Sequence, residues 1–245
     1  MQFQDSSVAC ESRAHLWRRW LHIAAILAST VLDSAQGSSL TAQTATSPQT
    51  ESRKTSTPYV GDLSVFEETD RDKKLQIQRV MDILRIHAGS NVSDIGAGSG
   101  WFTVRAAKRV GEDGLVYAVD INPESIKYIE ERKKKEAIHN VRTILSAPDD
   151  PKLPEKSVDS VLILKTYHEV ANPVLLLQNL RKSLRTGARI GIIDRNGNGE
   201  DHGIDKEVVV KEAGQAGYHL TDQYDFVKSD RVDYFLVFET DSTHP

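Results

Sequence analysis

The chain has 245 residues, 39% of them hydrophobic and 27% charged, a balance that allows a packed core and excludes global disorder. Residues 1–58 hold five of the 31 Lys and Arg and four of the 35 Asp and Glu, so the remainder carries a net charge of −5. It lacks the basic excess that binding to a phosphate backbone requires, and nucleic acid is not an expected partner. Cys10 is the sole cysteine, so residues 11–245 offer no disulfide, no thiolate nucleophile and no cysteine-liganded metal.

Arg13, His15, Arg18 and Arg19 precede an uncharged, largely apolar run from Trp20 to Leu32. This run suits the core of a signal peptide and falls short of the roughly 20 residues that a membrane span needs. Ala35 and Gly37 put small residues at the −3 and −1 positions of a cleavage after Gly37. Residues 1–37 are therefore expected to be a signal peptide or a membrane anchor, which places the rest in the periplasm, outside the cell or on a membrane. The competing reading is a marginal amphipathic segment or an over-called start on a cytoplasmic protein. From Ser34 to Pro58, 12 of 25 residues are Ser or Thr, too polar to offset their ordering entropy. A Ser/Thr-rich disordered linker over 38–58 and a folded domain over 59–245 follow.

Within the domain, Ile77, Val80, Met81, Leu84 and Ile86 repeat at helical spacing. Asn91–Ile95 reads as a strand ending in glycines, and Phe102 to Val110 as a helix. Leu115–Ile121 is a strand, and Pro123 opens a helix that ends in the basic run 132–135, favourable to its dipole. Strands are expected at Val141–Leu145 and Val158–Leu164, a helical face at Val174, Leu177, Leu180 and Leu184, and a strand at Ala188–Ile193. Asp205–Gly217 reads as a helix, and Tyr218–Val227 with Val232–Phe238 as a hairpin turning at 228–231. Five β-then-α units and a terminal hairpin imply an α/β fold, a mostly parallel sheet covered on both faces. Its ligand crevice belongs at the carboxyl ends of the strands.

The sharpest signal is Val92–Phe102, VSDIGAGSGWF. Gly96, Gly98 and Gly100 follow a strand ending near Asp94 and precede a helix, so the backbone can turn tightly against a ligand. Trp101 stands where a dinucleotide fingerprint needs its last glycine, which weakens that reading. Asp120 ends the second strand, where a carboxylate accepts hydrogen bonds from both ribose hydroxyls and repels a 2′-phosphate. Its rival role is to cap the helix at Pro123.

These residues, together with DDPKLPEKSVDSVLI at 149–163, KTYHEV at 165–170, LRKSLRTGARIGIID at 180–194 and DYFLVF at 233–238, give a chain that resembles the class I S-adenosylmethionine-dependent methyltransferases, in their small UbiE-like branch. The resemblance covers about residues 65–240 and implies a Rossmann-like, seven-stranded sheet with S-adenosylmethionine as cofactor. It implies that Asp94, Gly96, Gly98 and Gly100 line the methionine end, that Asp120 holds the ribose and that Ile121 packs beside the adenine. Relatives often have Gly-Asp-Ala in the next segment. This chain has Ser146-Ala147-Pro148, which leaves Asp149 or Asp150 to meet the adenine, or to form only a solvated acidic turn. Arg185, Thr186 and Ala188 depart from the usual Leu-Lys-Pro-Gly-Gly and predict a looser turn before the fifth strand. Glu67, Glu68, Asp70 and Arg71 form a polar turn before the first helix, a segment that in relatives often closes the cofactor site.

Tyr167, His168 and Glu169 follow the fourth strand, beside the expected position of the transferable methyl group. His168 is a natural general base near neutral pH, and Glu169 could orient it, accept a proton or stabilise the sulfonium. A capped helix start with a packed imidazole explains the same residues. Asp194, Asp201 and His202 add oxygen and nitrogen donors, but no tight ligand spacing points to a metal, and none is expected. The expected function is methyl transfer to a small acceptor, cysteine-dependent arsenite methylation being excluded. The alternatives are a non-catalytic, exported cofactor-binding module and a nucleotide-dependent oxidoreductase.

Overall fold

The computed structural model describes residues 53–227 and 233–240. The expected signal segment, most of the expected linker and the hairpin turn lie outside them. Seven strands form one sheet: β1 (Asn91–Ile95), β2 (Leu115–Asp120), β3 (Val141–Leu145), β4 (Val158–Leu164), β5 (Leu184–Arg195), β6 (Tyr218–Tyr224) and β7 (Asp233–Thr240). Their order is β3-β2-β1-β4-β5-β7-β6. β1 to β5 pair in parallel, and β7 is antiparallel to both β5 and β6. The helices are α1 (Arg71–Leu75), α2 (Ile77–Ile83), α3 (Trp101–Val110), α4 (Pro123–Lys135), α5 (Pro173–Arg181) and α6 (Lys206–Gln215).

Side chains alternate along each strand, so the sheet has two apolar faces. Leu162 and Leu164 of β4, with Ile193, Phe235 and Val237, pack toward α2, α3 and Ile129 of α4. Val161, Ile163, Ile190, Ile192, Leu236 and Phe238 pack the other way, against Leu177 and Leu180 of α5 and Val209 and Ala213 of α6. Burial on both sides explains why β4 reads as an almost unbroken apolar run. Each such leucine, isoleucine or phenylalanine contributes about 1.5–3 kcal/mol by leaving water. Among the described residues, no helix is long and apolar enough to cross a membrane.

Three features differ from the sequence reading. A break at Gln76, which takes a left-handed conformation (φ 47°) and whose side chain donates to the Phe226 carbonyl, separates the lead-in helix from α1, and that helix ends at Ile83, short of the expected Leu84 and Ile86. The break buries Ile77, Val80 and Met81 while Arg71 turns over the indole of Trp101. β3 passes to β4 without a helix, so the described chain has four β-then-α units rather than five. Pro148, Pro151 and Pro154 remove backbone donors and disfavour helical geometry throughout that connection. Finally, β5 begins at Leu184, paired with Val158, and the next pair is Ser160 with Arg189. Residues 185–188 therefore bulge from the ladder around Gly187 (φ 76°), which is the looser turn expected there.

Ordered contacts also begin before residue 59. Arg53 donates to Glu212 of α6 at 2.8 Å and to the carbonyls of Tyr167 and Val170 at 2.5 and 2.8 Å. Ser56 is buried, its hydroxyl donating to the Gly199 carbonyl at 2.8 Å.

Candidate active site

Strand order reverses at β1, with β2 on one side and β4 on the other. A crevice must open at the carboxyl ends of these strands, and the main cavity lies there. Its floor is Asp94 to Ser99, Asp120 to Asn122 and Leu164 to Thr166. Gly96 (φ 73°) leaves β1 directly beneath Thr166, where an added Cβ would lie 2.3 Å from the threonine methyl. Gly98 (φ 54°) keeps the loop low enough for Phe66 to pass above it. At both positions the left-handed backbone would strain a side chain, and at Gly96 the side chain would also collide with Thr166.

Asp120 is fixed from below. Its Oδ2 accepts from the Gly98 N–H and its Oδ1 from the Asn122 N–H, both at 2.8 Å. Asn122, not Asp120, caps α4 by accepting from the Glu124 N–H at 2.9 Å, so the capping explanation of Asp120 does not hold. The Ser125 hydroxyl and the Ile121 N–H also hydrogen-bond to it, and the carboxylate lines the cavity, where it can accept from a ligand hydroxyl. Burial pushes its pKa up, against the lowering effect of these backbone N–H groups. Ile121 is 45% exposed on the cavity wall, a flat apolar surface for a ring.

Asp94 sits deeper, 2% exposed, and accepts from the Thr103 hydroxyl at 2.6 Å. Burial pushes its pKa up to about 7, the Thr103 hydrogen bond opposing this. Arg71, read in the sequence as part of a polar turn in a segment that closes the cofactor site in relatives, lines the same cavity, stacks over Trp101 and donates to the Phe66 carbonyl at 2.8 Å. The one available signal was a lone cation among Glu67, Glu68 and Asp70. Pro58, Tyr59, Leu63 and Phe66 complete the apolar wall. This segment is held through Glu67, which accepts from Ser99 Oγ at 2.7 Å and pairs with Arg132 of α4.

The turn after β4 separates its three candidates. Tyr167 is fully buried, its hydroxyl bonded to Glu212 at 2.9 Å and its ring beneath Arg53. It faces the α6 side, and its assignment as a catalytic group is corrected to a core role. His168 is 3% exposed, and its Nδ1 lies 2.9 and 3.0 Å from the two carboxylate oxygens of Asp194. Asp194, at the end of β5, also accepts from the His168 and Arg195 N–H groups. Glu169 alone of the three lines the cavity, and burial pushes its pKa to about 7, with His168 acting to lower it.

Asp149 and Asp150 do not form the cavity wall; Ser146, Ala147, Pro148 and Pro151 do. Asp150 closes a tight turn, its main chain paired with Ala147 and its Oδ1 accepting from the Lys152 N–H at 2.9 Å. The longer loop thus presents backbone and proline rings where the sequence suggested a carboxylate.

A parallel sheet with a glycine turn after β1 and an acid at the end of β2 defines the Rossmann-like class that binds adenosine-containing cofactors. Within that class, residues 86–229 match the family model described as a methyltransferase domain, and the chain belongs to that family. It is 26% identical over 117 residues to a demethylmenaquinone methyltransferase of Listeria welshimeri, covering 48% of this chain and 50% of the relative. It is 31% identical over 96 residues to an aklanonic acid methyltransferase of a Streptomyces strain, covering 39% and 43%. The chain thus spans about half the length of the curated relatives it matches. Among solved structures, it is similar to a SAM-dependent methyltransferase from Aquifex aeolicus, with a TM-score of 0.66 and 23% identity over 73% of this chain and 98% of that one. It is also similar to Aeropyrum pernix fibrillarin, solved with natively bound S-adenosyl-L-methionine, with a TM-score of 0.52 and 15% identity over 68% and 73%. S-adenosylmethionine is the cofactor of this family, and the Gly98 loop and the Asp120 carboxylate on the cavity wall fit its nucleoside.

Proposed function

We propose that this protein transfers the methyl group of S-adenosylmethionine to a small acceptor bound in the same cavity. The observation that carries this reading is Asp120, pinned by Gly98 and Asn122 with its carboxylate on the cavity wall. In this reading Asp120 accepts from the ribose hydroxyls, Ile121 covers one face of the adenine, and Ser146 to Pro148 close its edge. Asp94 and Arg71, of opposite charge at one end of the cavity, receive the ammonium and carboxylate of the methionine part. The cofactor supplies an electrophilic methyl carbon on a sulfonium. The protein's contribution is to hold the acceptor in line with it, since orientation is worth several kcal/mol when both reactants are held. Glu169 is the ionisable side chain that reaches the acceptor side, and His168 stands behind it on Asp194. Pro58, Tyr59, Leu63, Phe66 and Val170 give an apolar wall suited to a small organic acceptor.

Calorimetry with residues 49–245 tests the assignment. S-adenosylmethionine should bind more tightly than NAD, and Asp120→Ala should weaken it by about 1.5–3 kcal/mol, the usual worth of hydrogen bonds to a charged group. Tighter NAD binding would revive the oxidoreductase alternative. An unchanged affinity in Asp120→Ala would remove the carboxylate from the cofactor site.

A further inference from the structure

Beside the cavity, the fold gathers three donors that lie apart in sequence. His168 follows β4, Glu169 is its neighbour, and His202 comes from the loop after β5. One ligand atom from each lies within 4.8 Å of the other two. His168 Nε2 is 3.9 Å from Glu169 Oε1, and the two imidazole rings meet edge to face with centroids 5.8 Å apart. The arrangement is supported from outside. The Ser56 hydroxyl, itself donating to the Gly199 carbonyl, accepts from the His202 N–H at 2.9 Å, and His202 is held in the left-handed region at φ 57°.

The decisive atom is His168 Nε2. It is buried and has no hydrogen-bond partner among the described residues. A carboxylate only accepts, so the two Asp194 oxygens require the hydrogen on Nδ1. With Nδ1 so occupied, Nε2 is the ring nitrogen left to face Glu169 and His202, and as an imidazole ligand it would offer its lone pair there. An orphaned buried acceptor is costly, and a carboxylate on the remote ring nitrogen is the arrangement that orients imidazole ligands of metal ions.

We propose that His168 Nε2, Glu169 and His202 form a binding site for one divalent transition-metal ion of the zinc type, with Asp194 as the positioning residue behind His168. Two imidazoles and one carboxylate suit zinc, cobalt or iron(II) and disfavour magnesium or calcium, which take oxygen ligands. Zinc bonds to nitrogen and oxygen are near 2.0–2.2 Å, which puts two tetrahedral ligands about 3.4 Å apart. The donors must therefore close by roughly 1.5 Å at most, and the exposed His202 side chain can supply that movement by rotation. Three protein ligands leave at least one coordination position open, and Glu169 belongs to the cavity wall. In the sequence these donors were set aside as a metal site for want of tight ligand spacing, His202 being 34 positions from His168; the fold brings them together from the turn after β4 and the loop after β5. The proposal stands whether or not methyl transfer is the reaction, since its test measures ion binding alone.

The test uses the full chain, freed of metal with a chelator and titrated with Co²⁺ alone. One ion should bind per chain, with visible d–d absorption, and Zn²⁺ should displace it. His202→Ala changes an exposed side chain and should weaken binding at least tenfold while leaving the melting temperature of the metal-free protein unchanged. Asp194→Asn should weaken it 10- to 100-fold, as for other groups that orient a ligand, whereas His87→Ala, at an exposed site elsewhere, should not. Absence of stoichiometric Co²⁺ binding overturns the proposal, and so does binding that His202→Ala leaves intact.

Discussion

Replacing Asp94 by Asn should make the protein's stability depend differently on pH. The carboxyl group titrates near 3.8 when free and near 7 when folded, mainly because burial disfavours its charge. An acid with a raised folded pKa binds its proton more tightly in the folded state, so between these values the folded protein holds more protons and stability falls as pH rises. The cost is absent below about pH 4, grows through the window from 4 to 7, and is constant above it. Three pKa units correspond to about 4 kcal/mol at full development. Asn preserves the shape and still accepts from Thr103, but it does not ionise. Urea unfolding of the cofactor-free protein at half-unit steps from pH 4.5 to 8 should show Asp94→Asn gaining on the native chain by up to about 1.4 kcal/mol per pH unit, then running parallel. A cation entering the cavity favours the ionised form, so S-adenosylmethionine binding near pH 6 should release a proton, and its heat should vary with the ionisation enthalpy of the buffer. Parallel stability curves over the whole range, or buffer-independent heats at pH 6, would refute the reasoning.

Three shorter predictions follow from the geometry. Gly96→Ala should cost on the order of 2–4 kcal/mol, from a left-handed residue and a Cβ 2.3 Å from the Thr166 methyl; adding Thr166→Gly should return only the steric share, read by thermal unfolding. Tyr167→Phe should lower stability by about 1–2 kcal/mol through the lost bond to Glu212 and leave S-adenosylmethionine affinity unchanged; a large loss of affinity without loss of stability would restore a role at the cavity. Arg53→Ala leaves Glu212 without its ion pair, the Val170 carbonyl without its side-chain donor and the Tyr167 carbonyl with only the Val170 N–H, and should cost about 3 kcal/mol, so a chain beginning at residue 59 should melt lower than one beginning at 49.

The interior of the sheet was legible in the sequence. Asn91–Ile95, Val141–Leu145 and Val158–Leu164 were read with the bounds they have, because buried parallel strands are apolar runs cut off by glycine, proline or charge. The glycine loop and Asp120 were legible for a related reason: both are fixed by local backbone geometry within one β-α-β unit. What escaped depends on contacts between distant segments. The apolar spacing of Ile77 to Ile86 begins only after Gln76, where α1 turns toward Trp101, and nothing local marks that turn. Tyr167 sits beside His168 in sequence, yet Arg53 and Glu212, 114 and 45 positions away, draw its hydroxyl to the other face. The missing helix between β3 and β4 was the exception, since three prolines in that stretch announced it.

The two rims of the sheet have been given different tasks. Glycine loop, acids and histidines crowd the rim where β1, β2 and β4 end. The opposite rim, where these strands begin, is tied by Asp159, which accepts from the Asn91 N–H at 2.8 Å and pairs with Arg185. Gly111 and Gly187, in the turns that enter β2 and β5, have open space around them. Loops on that rim can lengthen, carry a tag or be cut and rejoined without disturbing the cavity. Variation at the other rim changes what is bound while the ties beneath it stay intact. Under the proposed methyl transfer, acceptor specificity would be varied at the wall from Pro58 to Phe66 and the turn after β4, with the amino-end rim kept as its foundation.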